Sequence, residues 1–391
     1  MRSKRSLHAL SGVLCALFCL TVPARAVSTS AQAAVLMDAA SGRVLYTQNA
    51  YESRSIASVT KLMTALVCVE SCPDLDQEVT VDPGAVGVEG SSIYLKPQER
   101  LTLRELLYGL LLHSGNDAAM AIALHVSGSV EAFAGEMNAT AQRLGMVGSH
   151  FDNPSGLEGA AHYSTAYDLA LLAQAVLAQP ELAKIVATRT ITIGNRTFTN
   201  HNKLLWQYEG CVGMKTGFTK KAGRTLVSAA HRNGGTLIAV TLNDGNDWAD
   251  HAALLDYGFT QYPPSLLCRP GKPLATVAVA GSLTHSVTVI TGQEVRYPLA
   301  AGETVTAHID LPVQLSAPLE QGQSVGSITF FQNGAAIGRS DLLCTQSVPD
   351  DRPARCKGLL GVFRPLTMGL WESQAPRWLG AVSMSAIWQG A

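Results

Sequence analysis

The sequence has almost no net charge and lacks the residue clusters that mark a metal or nucleic-acid partner. Its 391 residues hold 29 Lys and Arg against 30 Asp and Glu, a formal net charge of −1 at pH 7. Nucleic-acid binding requires a basic surface that contacts phosphates, so we expect no nucleic-acid partner. No cysteine pair has zinc-finger spacing, and His, Asp and Glu form no ligand-like cluster. We therefore expect no metal and no cofactor.

The apolar stretch near the N-terminus is too short to cross a bilayer comfortably and has the layout of a secretory signal. A basic region at residues 2–5 precedes the apolar residues 10–22, and Ala24-Arg25-Ala26 fits the small-x-small cleavage pattern. We predict that residues 1–26 are removed and that the mature chain begins near Val27. The leader holds four basic residues and no acidic one, so its loss changes the formal charge from −1 to −5. The alternative is an uncleaved anchor.

Cysteine is sparse outside the leader, where six residues remain. Export permits disulfides, and six cysteines allow 15 pairings among which the sequence does not choose. Cys68 and Cys72 are one helical turn apart and would pair if the helix end distorts. Free, buried thiols are an equally good interpretation. The six are Cys68, Cys72, Cys211, Cys268, Cys344 and Cys356.

Strand patterns flank a helical middle in residues 27–262. Alternating apolar residues predict strands in 33–48 around a turn at Ser41-Gly42, and later in 212–219, 224–231 and 236–243. Between them, helical patterns occupy 57–70, 101–112, 132–144 and 164–177, with Thr102 and Asn116 as helix caps. This order predicts an α/β (α+β) domain: a central antiparallel sheet, built from both ends of the segment, with helices packed on it.

The remaining residues divide into a β-rich module and a tail. Short alternating runs punctuated by Gly and Pro predict a small all-β domain over 263–348, with a hairpin at Asn333-Gly334. Residues 349–391 form a linker and an amphipathic tail that holds Trp371, Trp378 and Trp388. Tryptophan and basic residues favour the membrane interface, so we expect this tail to lie on the membrane surface. A tail that packs on the protein or stays disordered is the alternative.

Three short motifs carry the chemistry, and the first is Ser58-Val59-Thr60-Lys61. A serine hydroxyl is a weak nucleophile and needs an adjacent base. A lysine three residues later on a helix lies on the same face, one turn away. Burial and a nearby cation, for which Lys215 is the candidate, would keep the Lys61 amine neutral. One such motif is expected by chance in a chain of this composition, so alone it indicates little.

The second and third motifs are Ser114-Gly115-Asn116 and Lys215-Thr216-Gly217. Ser114 would relay a proton, and Asn116 would orient the substrate or Lys61, although both residue types also simply cap helices. Lys215 and Thr216 would bind a carboxylate on a strand at the sheet edge, and Gly217 would leave room for a substrate strand. A plain surface strand ending in a turn glycine is the alternative. The order of all three motifs in one exported chain favours the catalytic interpretation.

With these motifs, residues 33–259 resemble the D-alanyl-D-alanine carboxypeptidases, the low-molecular-mass penicillin-binding proteins of serine peptidase family S11. The likeness extends around each motif, to residues 58–65, 90–92, 114–119, 153–157, 163–170 and 214–224. A β-rich second domain and an amphipathic C-terminal anchor are also usual in that family. The resemblance implies an exported enzyme at the outer face of the bacterial cytoplasmic membrane and in the cell wall.

The resemblance also implies residue roles. Ser58 would be acylated, with Lys61 as its base, while Ser114 and Asn116 complete the proton network. Lys215 and Thr216 would bind the terminal carboxylate, and backbone N–H groups of Ser58 and Phe218 would form the oxyanion hole. The substrate would be a peptidoglycan pentapeptide, losing its last D-alanine, and β-lactams would acylate the same serine. Some relatives carry a carboxylate-binding arginine beyond the third motif, and residues 243–250 contain none.

Two other functions share parts of this pattern. A class A β-lactamase uses the same trio but needs a glutamate that activates the deacylating water, and Glu158 is the only acid just beyond 153–157. A catalytically silent wall-binding scaffold would keep the fold without the reaction. A Ser-His-Asp hydrolase would require a G-x-S-x-G-like turn, which Ser155 lacks. The complete trio and the second domain favour the carboxypeptidase.

Overall fold

A computed structural model describes residues 27–352 and 382–383 of the chain. The predicted signal at 1–26, Cys356 and nearly all of the predicted membrane-associated tail lie outside the described residues. Three apolar cores are present in the described residues: two in the first domain, within residues 33–242 and 36–255, and one in the second, within 267–348. The α+β first domain and the all-β second domain that the sequence predicts are both present.

The first domain is built on a five-stranded antiparallel sheet with strand order β2-β1-β9-β8-β7. N-terminal strands pair with C-terminal ones, since Val35 of β1 lies opposite Val240 of β9. Strand β7 carries the third motif and forms one edge, because its only partner in the sheet is β8. These strands are β1 (Ala33–Asp38), β2 (Val44–Gln48), β7 (Cys211–Thr219), β8 (Gly223–Arg232) and β9 (Gly235–Leu242). The domain also has two short antiparallel strand pairs: β3 (Glu78–Thr80) with β4 (Arg100–Thr102), and β5 (Thr190–Ile193) with β6 (Arg196–Thr199).

Most helices lie in the part of the chain between the N-terminal and C-terminal strands of the sheet, and side-chain caps fix where several begin. Thr102 and Glu105 form a capping box that starts α2, and Ser129 and Thr165 accept backbone N–H groups that start α4 and α5. The described helices are α1 (Lys61–Ser71), α2 (Leu103–Leu112), α3 (Asn116–Ser127), α4 (Val130–Arg143), α5 (Ala166–Ala178), α6 (Pro180–Ala187), α7 (Leu204–Gln207) and α8 (Asp247–Gln261), with 3₁₀ turns at Ala57–Thr60 and Pro83–Ala85.

Two details of the helix prediction were wrong. Residues 57–60 form a 3₁₀ turn ahead of α1 instead of its first α-helical turn. Asn116 is the first residue of α3 and not its cap, since Gly115 precedes it and no side chain caps this helix. The Asn116 amide is engaged elsewhere, by Lys61 and by the Glu89 carbonyl, and so does not satisfy the helix N–H groups. The sequence patterns also missed α6, α8 and the β5–β6 hairpin.

The second domain is a β-structure whose main sheet has strand order β15-β11-β12-β17-β16-β14-β18. Asn333 and Gly334 both have positive φ and form the predicted hairpin turn between β16 and β17. Arg43 of the first domain donates to Glu303 and to the Pro298 carbonyl of the second. The strands are β10 (Pro264–Cys268), β11 (Pro273–Ala280), β12 (Ser286–Thr291), β13 (Val295–Pro298), β14 (Thr306–Asp310), β15 (Gln314–Ser316), β16 (Ser324–Gln332), β17 (Ala335–Cys344) and β18 (Val382–Ser383), and β10 pairs separately with β13.

The described cysteines and helices settle two further points. Cys68, Cys72, Cys211, Cys268 and Cys344 are all free thiols, so Cys68 and Cys72 do not pair. Within the described ranges, no helix by itself has the length and apolar character to cross a membrane; two bent pairs, α3 with α4 and α5 with α6, pass that test only jointly.

Candidate active site

Ser58 lies in the 3₁₀ turn Ala57–Thr60, called the nucleophile turn below, which packs directly against the edge strand β7. The two segments approach so closely that a Cβ on Gly217 would stand 2.4 Å from Thr225 Oγ1 and 3.0 Å from the Ser58 nitrogen. Glycine at this position therefore lets the strand pack on the nucleophile turn. Gly217 also lines the cleft, so the prediction that this glycine leaves room for a substrate stays a prediction, and the close packing on Ser58 is a second reason for glycine here.

Lys61 reaches Ser58 and two further oxygen atoms. Its Nζ is 2.9 Å from Ser58 Oγ, 2.7 Å from Asn116 Oδ1 and 2.6 Å from the Ser155 carbonyl oxygen. The amide and carbonyl oxygens can only accept hydrogen bonds. A neutral amine has two hydrogens, and both are then used by these acceptors. Its lone pair is left to accept the Ser58 hydroxyl proton, which is the geometry that a general base requires.

Burial controls the protonation of the two lysines. Lys61 has no exposed surface, and burial lowers its pKa well below the ordinary value, with the nearby Lys215 cation lowering it further. Burial also lowers the pKa of Lys215 to about 7. Lys215 Nζ donates to the Thr216 carbonyl at 2.8 Å. The site therefore favours a neutral Lys61 amine next to Ser58. It places a second amine, that of Lys215 with a pKa of about 7, on the edge strand.

The second motif is held in a strained turn between α2 and α3. Ser114 has φ +65°, a left-handed conformation that is unfavourable for a residue with a Cβ and is typical of functional sites. Asn116 Nδ2 donates to the Glu89 carbonyl at 2.5 Å, which leaves Oδ1 facing Lys61. The next residue, Asp117, is buried, and its carboxylate accepts from the Ile93 and Leu95 backbone nitrogens. These bonds fix the loop that carries Ser91 into the cleft.

The loop over residues 151–165 packs against the nucleophile turn. The Asp152 backbone N–H donates to His162 Nδ1, so His162 carries its proton on Nε2 and donates to Thr60 Oγ1 at 2.7 Å. Burial lowers the pKa of His162 to about 4, which keeps the ring neutral. Gly156, at φ +82°, lies so close that a Cβ would stand 2.0 Å from the Ala57 carbonyl oxygen. The loop thus packs tightly enough to hold the Ser155 carbonyl on Lys61.

A cleft of about 480 Å³ opens over Ser58. Of the predicted site residues, Ser58, Ser114, Thr216, Gly217 and Phe218 line it, whereas Lys61, Asn116 and Lys215 are buried behind its wall. All eight predicted residues therefore converge on one place. No group of three or more His, Cys, Asp or Glu residues that could hold a metal ion occurs in the described part of the chain.

Five cleft residues were not predicted: Ser91, His201, Arg224, Asp247 and Trp248. Residues 243–250 contain no arginine, yet Arg224 reaches the cleft from the neighbouring strand β8. Its place in the Ala222-Gly223-Arg224 block was a usable signal, because that block follows the third motif across a tight turn. Nothing in the local sequence distinguishes His201, Asp247 or Trp248 from ordinary loop and helix residues. His162 was missed for the same reason.

Family models and known relatives agree with this geometry. A model described as D-alanyl-D-alanine carboxypeptidase matches residues 21–246. The chain belongs to this family. A second model, described as penicillin-binding protein 5, C-terminal domain, matches residues 262–350. The resemblance inferred from the three motifs is thereby confirmed, and so is the enzyme class, a serine-type D-Ala-D-Ala carboxypeptidase.

Similar proteins cover most of the chain. It is 31% identical to the D-alanyl-D-alanine carboxypeptidase DacF of Bacillus subtilis, across 87% of this chain and 90% of that one. It is 35% identical to DacC of Escherichia coli, across 83% and 85%. The solved structure of penicillin binding protein 5 from Haemophilus influenzae superposes with a TM-score of 0.66 at 29% identity, across 82% of this chain and 98% of that chain. The predicted fold class is confirmed.

Proposed function

We propose that this carboxypeptidase removes the terminal D-alanine of a peptidoglycan pentapeptide through an acyl-enzyme on Ser58. Ser58 Oγ forms a bond to the carbonyl carbon of the penultimate D-alanine, and the bond from that carbon to the last D-alanine nitrogen breaks. The hydroxyl proton passes to Lys61 and then, through Ser114, to the departing amine. Water next attacks the ester, which restores Ser58 and releases the shortened peptide.

The single observation that supports this assignment most is the set of contacts around Lys61 Nζ. Two obligate acceptors, Asn116 Oδ1 and the Ser155 carbonyl, use the hydrogens of the neutral amine, and Ser58 Oγ stands 2.9 Å away. Burial lowers the Lys61 pKa well below its ordinary value, which favours the neutral amine that a general base requires. Positioned general bases of this kind contribute about 10²- to 10⁴-fold to the rate.

The edge strand supplies substrate binding in this proposal. Lys215 and Thr216 bind the terminal carboxylate, and Gly217 brings the strand against the nucleophile turn. Backbone N–H groups of Ser58 and Phe218 stabilise the oxyanion that forms during acylation and deacylation. An extended peptide adds to the free side of β7 by main-chain hydrogen bonds. β-Lactams present a carboxylate and a reactive carbonyl in the same relation, and they acylate Ser58 with slow release.

Release of free D-alanine from a pentapeptide tests the assignment, with fluorescent penicillin labelling alongside. We expect steady D-alanine release and a persistent label, both lost in Ser58→Ala. A silent scaffold would neither label nor release D-alanine, and a β-lactamase would label only fleetingly. Full D-alanine release by Ser58→Ala would exclude the proposed acyl-enzyme.

The site of action follows from the substrate and from the two ends of the chain. We propose that the protein is exported through its 1–26 leader and held at the outer face of the cytoplasmic membrane by residues 349–391. Support comes from the sequence alone: three tryptophans and several basic residues in the tail. Deleting residues 356–391 should move the protein from the membrane fraction to the soluble fraction, and retention at the membrane would exclude the tail as anchor.

A further inference from the structure

One wall of the cleft is formed by an arginine clamp, comprising Arg224, Asp247 and Trp248. Arg224 Nε and Nη2 both donate to the Asp247 carboxylate, at 2.7 to 3.1 Å. The Asp247 side chain is only 4% exposed, whereas that of Arg224 is 43% exposed. The guanidinium also lies over the Trp248 ring, 5.5 Å from its centroid. The clamp therefore fixes a cation that still faces the cleft.

The strand register places this cation next to the third motif. Arg224 of β8 lies directly opposite Phe218 of β7. Directly opposed residues share a face of an antiparallel sheet, and so do residues two apart on one strand. Thr216, Phe218 and Arg224 consequently share one face, where α8 begins with Asp247. Thr216 and Arg224 together bound the part of the cleft beyond Ser58.

One guanidinium nitrogen remains available for a ligand. Arg224 Nη1 makes no hydrogen bond among the residues that the structure describes, while Nε and Nη2 are both used by Asp247. Lys215, by contrast, is buried and already donates to the Thr216 carbonyl. A carboxylate bound at Lys215 and Thr216 would also meet Arg224 Nη1, which is an exposed and oriented cationic donor.

We propose that Arg224 determines specificity for a free C-terminal carboxylate, and that Asp247 is its positioning residue. This inference rests on the proposed carboxypeptidase function and adds the residue that distinguishes a chain end from an internal peptide bond. In this chain the cation comes from strand β8, and the start of α8 supplies the carboxylate that orients it.

Two matched thioesters test the proposal. Both are N-acyl-D-alanyl thioesters, one with the leaving group S–CH₂–COO⁻ and one with S–CH₂–CONH₂, and thiol release measures their hydrolysis by the full enzyme. In Arg224→Gln, kcat/KM for the carboxylate thioester should fall about 10- to 100-fold, mainly through KM, as expected for a lost charge-assisted hydrogen bond. For the carboxamide thioester it should change less than about twofold.

Arg232→Gln is the matched control. Arg232 ends the same strand β8, pairs with Asp256 at 3.2 Å and stacks on Tyr208, outside the cleft. The Arg232→Gln variant should leave kcat/KM for both thioesters unchanged. Asp247→Asn should lower kcat/KM for the carboxylate thioester alone, by about threefold to tenfold, and should add no further loss in the Arg224→Gln background.

The outcomes separate the two proposals. Equal losses on both thioesters in Arg224→Gln, or no loss on either, would overturn the role of Arg224. An additional loss from Asp247→Asn in the Arg224→Gln background would overturn the positioning role of Asp247. Thioester hydrolysis that persists in Ser58→Ala would instead contradict the acyl-enzyme itself.

Discussion

The two domains bury polar groups of different kinds. Every described charged side chain that is buried lies in the first domain, including Lys61, Lys215, Asp117 and Asp247. The buried polar residues of the second domain are all neutral: Thr291, Ser327, Gln332 and Ser340. Burial of a charge is costly unless partners compensate for it. The first domain bears that cost, in part around the cleft, where Lys61, Lys215 and Asp247 lie, and the second domain avoids it.

Burial lowers the pKa values of three groups around the cleft. Lys61, Lys215 and His162 all have pKa values lowered mainly by burial, and all three surround the nucleophile turn. Such clustering is typical of active sites. In the second domain, Val289, Phe330 and Leu342 pack in a core without buried charged side chains among the described residues. Its sheet is expected to contribute stability and placement, and not reactivity.

The largest expected effect comes from replacing the buried amine. Lys61→Met keeps the length and burial of the side chain but removes the base, so penicillin acylation should slow about 10²- to 10⁴-fold. Removing the amine leaves two acceptors without a partner, which should lower the free energy of unfolding by about 1–3 kcal/mol for each. Stopped-flow acylation and urea unfolding measure the two changes. Acylation within tenfold of the parent would contradict the assignment of Lys61 as base.

Truncating one buried phenylalanine in each domain tests whether both domains affect the active site. Phe151 and Phe330 are both fully buried, and each loss to alanine should cost about 3–5 kcal/mol of stability. The Phe151 ring packs edge-on against His162, 5.7 Å between centroids, so Phe151→Ala should also slow acylation. Phe330→Ala should leave acylation unchanged at low temperature, because its core is separate.

Thermal unfolding and penicillin acylation, measured on both variants, check this contrast. Equal slowing by Phe330→Ala would show that the second domain shapes the site. An unchanged acylation rate in Phe151→Ala would show that the 151–165 loop does not shape the active site.

The smallest expected effect is a fall in kcat/KM on the alkaline side of the pH profile. Burial lowers the pKa of Lys215 to about 7, so its charge is present below that pH and is lost as pH rises through it. kcat/KM for a carboxylate substrate should therefore fall above about pH 7, up to tenfold per pH unit. A carboxamide substrate gains little from that charge and should show a shallower limb. Identical limbs for both substrates would assign the titration to another group.

The sequence alone determined the parts whose causes are local. Ser58 and Lys61, three residues apart, lie one turn apart in the 3₁₀ turn that leads into α1, as they would in an α-helix. The capping box at Thr102 starts α2, and Asn333-Gly334 forms a hairpin. Alternation predicted the sheet strands near their observed bounds. The three motifs together identified the family.

The tertiary structure decided what depends on packing between distant segments. Asn116 was expected to cap a helix. Its side-chain amide instead hydrogen-bonds to the Lys61 amine and the Glu89 carbonyl, both far away in sequence. Arg224 enters the cleft because strand pairing sets it opposite Phe218, and Asp247 holds it from the start of α8. Local propensity describes single segments, whereas the pKa of a buried group and the partner of an ion pair are set by everything that packs around them.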